Sequence, residues 1–146
     1  MIAFKIPGKP PTKHRPRFVI RNGRVWTYSP QEEKLNLQRI ATYYKRACPG
    51  IPPTSAPVAV LVRAVFKPGP RANRKYPSYA DIDNILKAIL DGLNGVAWKD
   101  DRQVIAAMAI KSYGNQDATY VYIAEYDENA EKILTHLIQR GGSDDT

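Results

Sequence analysis

Two hydrophobic periods alternate along this chain, and a fold built on one period cannot hold both. Val58, Val60, Val62, Ala64 and Phe66 recur at two-residue spacing, the signature of a half-buried strand, and Val104–Tyr113 and Ala118–Tyr126 read as two further strands joined at Gly114-Asn-Gln-Asp117. Apolar residues recur at three and four in Leu37/Ile40/Ala41/Tyr44/Cys48, in Ile85/Leu86/Ile89/Leu90/Leu93 and in Ala130/Ile133/Leu134/Leu137/Ile138, the signature of helices with one buried stripe. Strands and helices are interspersed, so the expected fold class is α+β: a mixed β-sheet with about three helices packed on it. Its 146 residues suit one domain, over 1–140, with an acidic disordered tail at 141–146.

Local signals set the boundaries. Ile2 to Ile6 is a short strand, and Gly8 to Pro16 is a proline- and lysine-rich arm. Asn22-Gly23 between two β-rich stretches is a strong hairpin signal. Ser29, Pro30 and Glu32 suit a helix start with a capping box, and Pro49-Gly50 ends that helix. The second helix is expected from about Asn84 to Leu93. The third begins near Asp127 and stops at Gly141-Gly142.

Charge narrows the function. The net charge is +8, yet residues 1–50 hold eleven Lys/Arg against two acids, whereas residues 101–146 hold four against eight. Such polarity suits a polyanion on one face, nucleic acid first among them, although a generally basic surface would give the same count. Lys9, Lys13, Arg15 and Arg17 sit on the stiff arm, where phosphates can be met with little ordering cost. Arg71, Arg74, Lys75 and Tyr76 form a second basic loop whose tyrosine can stack on an unpaired base. The single cysteine, Cys48, excludes a disulfide framework and a multi-cysteine zinc site, and two histidines make a histidine–metal nuclease a poor fit. No apolar run spans a bilayer and no signal peptide opens the chain, so a soluble cytoplasmic protein is expected.

The carboxylates carry the chemistry. Asp81 and Asp83 stand two apart before a helix, so in extended backbone they face one side; Asp83, Lys87 and Asp91 then share one helical face. Asp100 and Asp101 follow Trp98 at the mouth of a strand. Clustered carboxylates need a cation, and all-oxygen ligation suits magnesium, with manganese able to substitute, rather than zinc. Such a metal ionises water and neutralises a phosphate under in-line attack, and a lysine alongside, Lys87, stabilises the transition state. Each feature also has a structural reading. Asp81 or Asp83 can cap the helix, Asp83–Lys87 can be a helical ion pair, and Asp100-Asp101 can be a solvated turn.

The string Asp81-x-Asp83-Asn84-x-x-Lys87-x-x-x-Asp91-x-Leu93-Asn94-Gly95, then Trp98-x-Asp100-Asp101-x-Gln103-Val104, resembles the RusA family of Holliday junction resolvases. Gly8-Lys-Pro, Lys13-x-Arg15-Pro16-Arg17 and Tyr28-Ser-Pro resemble it too, and the likeness runs from about residue 2 to 125. One departure is Ala80, where members commonly carry proline before the first aspartate. The resemblance implies a RusA-like fold and a magnesium-dependent homodimeric endonuclease that cuts four-way DNA junctions in recombination and repair, often prophage-encoded. It carries the essential acids onto Asp81, Asp83 and Asp101 and the catalytic lysine onto Lys87, with Asp100 at a less certain metal-binding position. Two further readings stay open: a metal nuclease for other branched DNA such as flaps or forks, and a non-catalytic junction-binding protein whose acids are caps and turns. A manganese-dependent nucleotide-sugar transferase fits poorly in so short a chain with no donor-binding motif.

Overall fold

A computed structural model describes residues 1–13, 17–28 and 31–142, the side chains of 17–19, 26–28 and 140–142 excepted. Four strands form one mixed sheet: β1 (Ile2–Pro7), β4 (Val58–Phe66), β5 (Val104–Tyr113) and β6 (Ala118–Glu125), in the order β1-β6-β4-β5. β2 (Arg17–Arg21) and β3 (Arg24–Tyr28) pair only with each other, as the hairpin that Asn22-Gly23 predicts, both residues at positive φ. Two helices, α1 (Gln31–Ala47) and α2 (Ile82–Leu93), pack together on one sheet face. A third helix, α3 (Glu128–Gly142), follows β6. The α+β single-domain expectation holds.

The core is where the two periods meet. Val58, Val60 and Val62 of β4 point toward Ile40 and Tyr44 of α1 and toward Ile85, Ile89 and Leu93 of α2. Phe4 of β1 meets Tyr44 edge-on, with ring centroids 5.7 Å apart. Gly92 permits the helix contact: a Cβ there would stand 2.8 Å from Ile40. It is therefore a packing residue inside α2 as well as part of the helix-ending sequence Gly92-Leu-Asn-Gly95.

β4 and β5 run parallel while every other neighbouring pair is antiparallel, so the chain must cross over between them, and α2 is that crossover. This puts the two ends of α2 at opposite ends of β5. β5 is also a sheet edge, with one ladder partner only.

Two expectations need correction. The apolar stripe of α3 was expected to be buried, but Ile133, Leu137 and Ile138 are 63%, 62% and 77% exposed, and no other element packs extensively on the helix among the described residues. Periodicity shows that a helix has an apolar face; it does not supply a neighbour in the same chain. The helix also runs through Gly141-Gly142 rather than stopping before them. The expected cap at Ser29-Pro30 and most of the expected tail lie outside the described residues.

Candidate active site and nucleic-acid interface

Asp81 occupies the N-cap position of α2 with extended backbone, yet its side chain makes no capping bond. Its carbonyl accepts from the backbone of Asn84 and Ile85 instead. Asp83 lies in the first turn and Lys87 one turn further, all three exposed. Neither carboxylate makes a side-chain hydrogen bond or ion pair among the described residues, so the capping and ion-pair readings fall away for both. Carboxylates without internal partners, at the positive end of a helix dipole, are placed to receive an external ligand. Lys111 of β5 holds the approach to this turn through a 2.7 Å bond from its Nζ to the carbonyl of Ala80.

The other pair is engaged. Asp100 and Gln103 form a capping box around the short 3₁₀ turn Asp101–Gln103, and Asp100 also binds Arg102. The backbone and side-chain bonds from Arg102 hold the Asp100 carboxyl below the usual carboxylate range. Asp101 accepts from the indole nitrogen of fully buried Trp98 at 2.9 Å, leaving its second oxygen open. Gln103 donates to the carbonyls of Thr54 and Ala56 at 2.8 and 2.9 Å, which fastens the turn to the chain before β4.

The expected union of these acids within one chain does not occur. Asp81 and Asp83 stand near Lys111 at one end of β5, and Asp101 precedes Val104 at the other. Seven strand steps separate Val104 from Lys111, about 23 Å at roughly 3.3 Å per residue. Among the described residues no three His, Cys, Asp or Glu side chains are grouped to hold a metal ion. The donor chemistry of Asp81 and Asp83 still fits a hard divalent cation: oxygen-only, exposed and without side-chain partners among the described residues. One chain supplies the pair and not the full set.

The basic segments divide likewise. Lys13 is pinned, not free: its Nζ meets Asp91 at 2.5 Å, and its backbone donates to the Asn84 carbonyl. The bond to Asp91 raises the Lys13 pKa above its ordinary 10.5. Arg39, which sequence reasoning passed over, grips the arm through the carbonyls of Pro7 and Lys9 at 2.6 and 2.9 Å. Lys9 lies 4.1 Å over the Tyr79 ring. Arg71, Arg74, Lys75 and Tyr76 are exposed on the 67–81 loop, and Tyr113 fastens that loop by donating to the carbonyls of Asn73 and Tyr76. Arg17 belongs to the hairpin, its side chain outside the description, and Arg15 lies outside the described residues.

Comparison with known proteins gives the family. Residues 7–124 match the family described as endodeoxyribonuclease RusA. The chain is also 31% identical over 138 residues to the uncharacterized protein YqaN of Bacillus subtilis (strain 168), covering 85% of this chain and 96% of that protein. The match takes in both acid pairs, the arm from residue 7 and the 67–81 loop, and stops before α3. No helix of the described residues is long and apolar enough to cross a membrane. With the fold, the Asp81/Asp83/Lys87 turn and this match together, the chain belongs to the RusA endodeoxyribonuclease family and is a nuclease.

Proposed function

We propose that this protein resolves four-way DNA junctions by magnesium-dependent, paired and symmetric phosphodiester hydrolysis, acting as a homodimer. The observation that carries the reading is the pair Asp81 and Asp83, without side-chain partners among the described residues, beside Lys87 on the first turns of α2. A divalent cation held there supplies charge neutralisation and a more acidic water. Asp81 and Asp83 would hold the cation; in the hydrolysis a water oxygen bonds to phosphorus as the opposite P–O bond breaks, the water's proton passing to solvent and the departing oxygen taking up a proton to become a hydroxyl. Lys87 places a positive charge against the charge that develops on phosphate. Lys9, Arg71, Arg74 and Lys75 hold backbone, Arg15 and Arg17 extend that contact, and Tyr76 stacks on bases exposed at the branch.

Two copies answer the split acid set. A two-fold axis at the free edge of β5 runs the two strands antiparallel, so Asp101 of a second copy arrives beside Asp81 and Asp83 of the first. Each dimer then holds two sites, which is what two symmetric cuts require.

The test is cleavage of a labelled synthetic four-way junction with magnesium and then EDTA, beside a linear duplex of the same arms. Wild type is expected to make paired nicks only with metal. Asp83→Asn and Asp101→Asn are each expected to be inactive alone, and their mixture to recover nicking, because one heterodimer site is intact. Junction binding without cutting under any divalent metal would overturn the enzymatic reading. Preferred cutting of flaps or forks would overturn the substrate. A mixture that stays inactive despite subunit exchange would overturn the shared site.

A further inference from the structure

α3 lies beyond the family match and leaves its apolar face open. Ile133 and Leu137 stand four apart, with Ile138 beside them, so the three form one exposed stripe. Only residues 126–127 link α3 to β6, so the helix is held close to the sheet without covering it.

The sheet has an open face of its own. α1 and α2 cover the side to which Val58, Val60 and Val62 point. On the opposite side the ladder aligns Tyr122, Leu61 and Met108 in one row and Lys5, Tyr120, Arg63 and Ile110 in the next. Leu61, Met108 and Ile110 are 44%, 53% and 49% exposed and contiguous. Lys5 meets a tyrosine ring and Arg63 a serine hydroxyl; neither cation has a carboxylate partner among the described residues.

An amphipathic helix and an apolar sheet face on the same chain, neither filled by it, satisfy each other when copies are related by a two-fold axis.

We infer that α3 of each copy lies across the open sheet face of the other, seating Ile133 and Leu137 on Leu61, Met108 and Ile110. The acidic first turn, Glu128 and Glu131, provides the carboxylates that Lys5 and Arg63 lack. The patch borders β5, the edge at which the proposed sites are completed. The inference deepens the two-copy reading proposed above and rests on it.

Sedimentation velocity of the full chain tests the surface, with junction cleavage read in parallel. Ile133→Asp combined with Leu137→Asp, and separately Met108→Asp, are expected to weaken self-association at least about 100-fold. All three positions are exposed, so thermal unfolding of the monomer is expected to be unchanged. A chain carrying Leu137→Cys and Met108→Cys is expected to oxidise to a covalent dimer, with buried Cys48 left unreacted. A monomeric wild type overturns the inference, as does an unchanged dissociation constant in the helix variant. If wild type cuts junctions and the helix variant stays dimeric, the surface fails and the function stands. If the variants dissociate as expected but wild type cuts nothing, the surface stands and the nuclease reading fails.

Discussion

The two aspartate pairs differ in what the fold has done with them. Asp100 and Asp101 are tied into their turn by a capping box, by Arg102 and by Trp98. Asp81 and Asp83 start a helix without side-chain partners of any kind among the described residues. Residue type and spacing are nearly the same, so only the surroundings separate structure from chemistry. An internally satisfied carboxylate stabilises its turn; an unsatisfied one at a helix start is available to a ligand.

The sharpest way to break that contrast is to remove charge from each pair in turn. Asp83→Asn is expected to reduce metal-dependent junction cleavage by at least about 1,000-fold while leaving stability within about 0.5 kcal/mol, since its side chain is exposed and makes no bond among the described residues. Gel cleavage and chemical denaturation check the two halves; a loss of stability like that of a buried group would place Asp83 among the structural acids. Asp101→Ala is expected to lose cleavage and also about 1 kcal/mol of stability, because the Trp98 indole loses its acceptor. Asp101 therefore bridges the two categories.

Asp100→Ala sharpens the comparison from the structural side. Cleavage is expected to stay within about tenfold of wild type, with a lower unfolding midpoint at neutral pH. The folded carboxyl titrates below its ordinary 3.8, so its stabilisation is present above that value and is lost as pH falls through the folded one. The wild-type and variant midpoints should converge in acid. The smallest effect concerns the arm. Lys13→Met is expected to weaken DNA binding only slightly relative to Arg71→Ala, since Lys13 already serves Asp91. Its pKa is raised, so the contribution of the pair to stability is complete below pH 10.5 and disappears as pH rises through the folded value. Alkaline unfolding of wild type against the variant reads this directly.

Much of this was legible in the residues. Ile85, Ile89 and Leu93 mark α2, and Asp81-x-Asp83 with Lys87 marks its chemical end, because periodicity and short spacing are local properties. The alternation of Val58, Val60, Val62, Ala64 and Phe66 marked β4 for the same reason. What was not legible depends on approach in space. Arg39, Gln103 and Lys111 act by reaching backbone carbonyls far along the chain. The α3 stripe showed a face but not its neighbour. The distance between the acid pairs follows from the crossover, which local patterns do not reveal.

That crossover also bears on what holds the two acid pairs in place. β1, β6 and β4 are joined by antiparallel ladders, whereas β5 is laddered in parallel to β4 alone, at the sheet edge. Lys111 of β5 holds the Ala80 carbonyl just before α2, and the Asp101 turn leads directly into Val104 of β5. One edge strand therefore seats both ends of the crossover, and its local release would loosen both acid pairs together while the rest of the sheet stayed folded.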